Sequence, residues 1–201
     1  MHHATFALLA ATGASLALSA CNQQPKSTTN DPNSTTPAAA QVTDHDDPVA
    51  SAMAAAPAAI AEKATIIQAQ ADGSMKTLRE GSNGWTCMPD SPTTPGPDPM
   101  CMDGNALKWA QAWMGKKDPP ANTVGVMYML EGGTDASNTD PYATGPAEGN
   151  DWVKTGAHLM VVGSKDALAG HPSGAKPDTA APYVMWAGTP YEHLMVPVTK
   201  S

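Results

Sequence analysis

The spacing of apolar and polar positions changes along the chain, and each change marks a different kind of segment. Residues 4–20 are apolar or small and carry no charge. That length is short for a membrane span and fits the apolar core of a secretory signal. From Asn22 to about residue 48 the periodicity disappears. The stretch NQQPKSTTNDPNSTTPAAAQVTDHDDP is mostly Gln, Ser, Thr, Pro, Asn, Asp and Ala. It lacks the apolar surface to offset the entropy of ordering, and it reads as a flexible linker spanning on the order of 30 Å. VASAMAAAPAAIAEKA then combines high helix propensity with a break at Pro57. That predicts a short helix or no fixed structure.

A folded domain is expected from near Glu62. ATIIQAQADGSMKTLREGSNGWTCM predicts two or three short strands, with Asp72-Gly73 in a hairpin turn. Around the second of these, Met75, Thr77 and Arg79 alternate with Lys76, Leu78 and Glu80. Neither set is strongly apolar, which places this strand at a sheet edge. GNALKWAQAWMGKK, residues 104–117, predicts the main helix. Ala106, Leu107, Ala110, Trp113 and Met114 recur at helical spacing. Asp103 or Asn105 can cap its start, Lys116 and Lys117 suit its negative end, and Pro119-Pro120 stop it.

In TVGVMYMLE, Val124, Val126, Tyr128 and Leu130 point one way and Met127 and Met129 the other. Both sides are apolar, so this strand is expected to be central and buried. A long loop rich in Gly, Asp and Pro follows, residues 132–151. AHLMVV, PYVMWAG and EHLMVPV predict three more strands, with Ser164 capping a short helix through Leu168. The expected fold class is therefore α+β: a mostly antiparallel sheet with one main helix. The expected organisation is a signal segment over 1–20, a linker over 21–61 and a folded domain over 62–201.

Composition narrows the classes of partner. The chain carries 19 acidic against 11 basic residues, a net charge of −8. That balance argues against nucleic acid and gives no electrostatic attraction to an anionic lipid surface. The chain has 12 Met and a single Phe, at position 6. Methionine is thus expected to fill core volume that Phe fills elsewhere.

The apolar segment ends in Leu18-Ser19-Ala20-Cys21. This quartet resembles the bacterial lipobox, in which small residues precede a cysteine that becomes the lipidated first residue of the mature protein. The preceding region departs from the pattern in having His2 and His3 but no Lys or Arg. The resemblance implies a lipid anchor at Cys21, a cell-envelope location and, since Asn22 is not Asp, the outer membrane. Several acyl chains on one cysteine hold a protein stably to a bilayer that it does not span. In an exported protein the remaining pair, Cys87 and Cys101, most simply forms a disulfide. Closing that loop stabilises the fold by roughly 3 kcal/mol in the chain-entropy model. The rival is a soft copper site, because Met88, Met100 and Met102 adjoin the two cysteines.

Three further sets of residues carry candidate chemistry. His158-Leu159-Met160 and His193-Leu194-Met195 repeat one pattern. In a strand the His and Met of each triplet share a face, so neighbouring strands would gather His158, Met160, His193 and Met195 into a copper-binding set. The plain alternative is core packing. Glu131, Asp135, Asn138, Asp140 and Asp151 are oxygen ligands of the type calcium takes, although their spacing is not that of an EF-hand. Asx turns explain them equally well. For an enzyme, His193 with Glu192, Tyr191 and Asp135 or Asp140 could supply general acid–base groups, with Trp152, Trp186 and Tyr142 lining a pocket. No G-x-S-x-G, H-E-x-x-H or phosphate loop is present. No catalytic residue is assigned.

GWTCMP, NTDPYATGP and PYVMWAGTPYEHLM resemble segments of exported bacterial proteins of unassigned activity, over most of residues 80–198. The resemblance implies a discrete domain and no particular chemistry. The resulting expectation is a lipid-anchored envelope protein acting as a binding or interaction module for a protein or small-molecule ligand. The rivals are a copper-binding periplasmic protein and a hydrolase.

Overall fold

The computed structural model describes residues 47–94, 96–134, 136–148 and 151–199. The signal segment, Cys21 and the linker through residue 46 lie outside the described residues. The fold begins with two short helices, α1 (Pro48–Ala54) and α2 (Ala58–Ala61). The Asp47 side chain caps α1 by accepting from the Val49 N–H, and Pro57 separates the two. Ala52, Ala55, Ala56 and Ala61 are buried together with Ile66, Cys87 and Cys101. The described fold therefore includes residues 47–61, ahead of the boundary expected near Glu62. Alanine gave no periodic signal there, yet small side chains are what allow a helix to lie close against a sheet.

Ten strands follow among the described residues, in chain order: β1 (Thr65–Ala69), β2 (Met75–Arg79), β3 (Thr86–Met88), β4 (Met100–Met102), β5 (Gly125–Met129), β6 (Ala136–Ser137), β7 (Trp152–Val153), β8 (His158–Val162), β9 (Tyr183–Met185) and β10 (His193–Pro197). Eight of them form one sheet in the order β2-β1-β3-β4-β5-β8-β10-β9. Its pairings are antiparallel except β1 with β3. With α3 (Gly104–Met114) against the sheet, the class is α+β, as expected. The polar strand β2 lies at an edge and β5 near the centre, also as expected. The loop after β5 contains a small β6–β7 ribbon that the sequence pattern did not signal.

Asp103 fixes α3 onto the sheet. Its Oδ1 accepts from the N–H groups of Asn105 and Ala106, and its Oδ2 accepts from the Val126 N–H on β5. Gly125 permits this approach: a Cβ there would lie 2.3 Å from the Ala106 nitrogen. The face that α3 buries is centred on Ala106, Trp109 and Ala110. Met114, expected on the apolar face, is 46% exposed.

Cross-strand partners share a face of the sheet. On the face toward α3 this rule gathers Met88, Met100, Met102, Met127, Met129, Met160, Met185 and Met195, which all belong to one hydrophobic cluster. Cys87 and Cys101 oppose each other on β3 and β4 and are joined by a disulfide on the other face, under α1 and α2. The cysteines are therefore not ligands, and the methionines beside them face away from them.

Candidate functional site

His158 and His193 lie on β8 and β10, which are hydrogen-bonded neighbours. The strands run antiparallel with Met160 opposite Met195, His193 opposite Val162 and His158 opposite Pro197. All of these side chains share the face toward α3. The two His–Met pairs thus run head to tail. Their backbone positions are four residues, or about 14 Å, apart along the strands, on either side of the methionine pair. On this register the four expected ligands fall into two halves, one at each histidine, with Met160 and Met195 between them. Each histidine also has a methionine directly across its other neighbour: Met185 on β9 faces His193, and Met129 on β5 faces His158. Met185 and Met129 carried no signal as ligands, because cross-strand pairing is invisible in the chain.

Both rings are held in the same way. Nδ1 of His193 is 2.9 Å from the Tyr191 carbonyl oxygen, and Nδ1 of His158 is 2.6 Å from that of Gly156. A carbonyl only accepts, so each Nδ1 carries the proton and each Nε2 presents a lone pair when the ring is neutral. Burial keeps both neutral: it lowers the His158 pKa and takes that of His193 down to about 4, where the nearby His158 also contributes. His193 is fully buried, and its Nε2 has no hydrogen-bond partner.

Aromatic rings enclose His193. Trp109 and Trp186 meet its ring edge to face, at centroid distances of 5.4 and 4.9 Å. Trp186 has φ +56°, a left-handed backbone that bulky residues rarely adopt. Three contacts fix it there: its N–H donates to the Asn138 carbonyl, its Nε1 to the Ser137 carbonyl, and its own carbonyl accepts from the Thr189 hydroxyl. Trp109 Nε1 is also buried without a partner. The strained tryptophan and the unpaired atoms occur at the same place, which is characteristic of functional sites.

The calcium set is not assembled. Among the described residues no three His, Cys, Asp or Glu come together to hold an ion. Asp140 Oδ1 accepts from the Tyr142 N–H in an Asx turn. Asn138 uses its Nδ2 on the Gly174 and Ala175 carbonyls. Asp135 lies outside the described residues.

Among the described residues the acid–base set does not form around His193 either. The Glu192 carboxylate accepts from the Gly188 N–H and pairs with Lys165, and the Tyr191 hydroxyl donates to the Lys117 carbonyl. Trp186 lies in the core, and Tyr142 packs on Tyr191 and donates to the Trp113 carbonyl.

A cleft of about 310 Å³ opens beside β8, with His158, Tyr183 and Met195 in its wall. No helix among the described residues is long and apolar enough to cross a membrane. Comparison with protein-family models, curated proteins and solved structures finds no match.

Proposed function

We propose that this is a lipid-anchored exported protein whose folded domain binds Cu(I) in its methionine-rich core. His193 Nε2 and the thioethers of Met185 and Met195 are the ligands, with Met160 adjacent. One observation carries the proposal: a neutral, fully buried imidazole has an unpartnered lone pair and lies on a sheet face that it shares with Met185 and Met195. Leaving a buried acceptor unpaired costs about 1–3 kcal/mol, so the position calls for an occupant. Thioethers select Cu(I), and imidazole suits copper in either oxidation state. The Nδ1–H bond to a backbone carbonyl is the usual support of a metal-binding histidine. Trp109 and Trp186 keep water away from the ion. Copper binding is the rival that the sequence offered to a protein- or small-molecule-binding module, and Cys21 would tether the domain to the envelope.

The competing occupant is an ordered water bridging Trp109 Nε1 and His193 Nε2. A competition titration separates the two. The exported full-length protein, solubilised in detergent with its disulfide intact, is titrated with Cu(I)–bicinchoninate in ascorbate. One Cu(I) per chain is expected. His193→Asn, which keeps a donor for the Tyr191 carbonyl, and the volume-conserving Met185→Leu and Met195→Leu should each weaken binding about tenfold or more. Failure to compete for Cu(I), or wild-type affinity in all three variants, would assign the space to water.

A further inference from the structure

We propose that the cleft beside β8 is the entry for Cu(I), with His158 as its first ligand and Met195 as the residue that passes the ion inward to His193. This rests on the copper reading above. The cleft is lined by Thr155, His158, Thr179, Tyr183, Met195 and Pro197. Met195 belongs to both places: it forms part of the cleft wall, and it lies two residues from His193 on the same face of β10. An ion bound at Met195 is therefore already beside the inner half-site.

His158 has the features of an outer ligand. Its Nδ1 is held by the Gly156 carbonyl, which leaves Nε2 as the donor atom, and the residue is among those that line the cleft. Met129 opposes it on β5, as Met185 opposes His193 on β9. The Met160–Met195 pair lies between the two histidines. Methionine has three rotatable side-chain bonds and tolerates repacking, so a thioether can hold the ion while one imidazole replaces the other.

The transfer balances as simple ligand exchange. Copper remains Cu(I), neutral imidazole and thioethers replace the donor's ligands one for one, and no electron or proton changes hands.

Stopped-flow loading of the full-length protein from Cu(I)–bicinchoninate tests the route. His158→Asn should load about tenfold or more slowly, while its equilibrium affinity changes less than about threefold. Thr179→Trp, which adds bulk at the cleft wall, should slow both loading and release. Loading at the wild-type rate in both variants would overturn the entry route and leave the His193 site standing. A loss of affinity in His158→Asn as large as in His193→Asn would also overturn it, by making His158 a final ligand. A wild-type protein that takes up no Cu(I) would overturn both proposals.

Discussion

His193 concentrates the chemistry of this domain in one ring. Its folded pKa, about 4, lies well below the ordinary 6.5 because charging it would place an unsolvated cation in the core. The consequence for stability has a definite sign. Above pH 6.5 the ring is neutral in both folded and unfolded states, and it adds no pH dependence. Between 6.5 and about 4 the unfolded chain takes up a proton that the folded chain refuses, so the metal-free protein loses stability as pH falls. The loss approaches about 3 kcal/mol at the bottom of that window. Urea unfolding at a series of pH values should show this slope, flattened in His193→Asn. An unchanged slope in the variant would show that other groups set it.

Two elements shape the fold away from His193. The first is the pair α1 and α2, whose alanines lie under the disulfide. Ala52 has no exposed surface, so Ala52→Leu should overpack that face and cost about 1–3 kcal/mol in urea unfolding. A neutral result would mean that α1 detaches readily. The second is the loop from Met88 to Met100. Ser91 N–H donates to Asp98 Oδ1, and Asp98 N–H donates to Asp90 Oδ1. Burial, with Asp90 nearby, raises the Asp98 pKa to about 6. Here the sign is opposite to that of His193. The folded state holds this proton more tightly than the unfolded chain, so the contribution is present below pH 3.8 and is lost as pH rises toward 6. Asp98→Asn should remove that dependence, and hydrogen exchange of residues 89–99 across the window reads it directly.

At the scale of the molecule, the sheet separates two packed clusters by face. One face carries the disulfide and the alanine helices; the other carries the methionines, the histidines and the aromatic enclosure. The tether proposed at Cys21 lies outside the described residues and has its own test. Cys21→Ser should move the protein from the membrane fraction to the soluble envelope fraction and abolish acyl labelling, leaving copper affinity unchanged. Retention in the membrane fraction without acylation would remove the lipid anchor from the reading.

Much of this protein was legible along the chain because it rests on local rules. Asp-Gly placed the first hairpin, Asp103 placed the start of α3, and the polar alternation of β2 placed it at an edge. The single cysteine pair named the disulfide once export was inferred. The alternation within each HLM triplet put His and Met on one face. Tertiary structure alone decided that β8 and β10 are antiparallel neighbours, because strand pairing joins residues more than thirty positions apart through backbone bonds that carry no side-chain signature. That register sent the two histidines to opposite ends of the Met160–Met195 pair. It also brought Met129 and Met185 opposite them. Trp186 reached His193 through a left-handed backbone held by the carbonyls of Ser137 and Asn138, which the chain order does not announce. Periodicity showed which residues share a face; pairing and burial determined which of them meet.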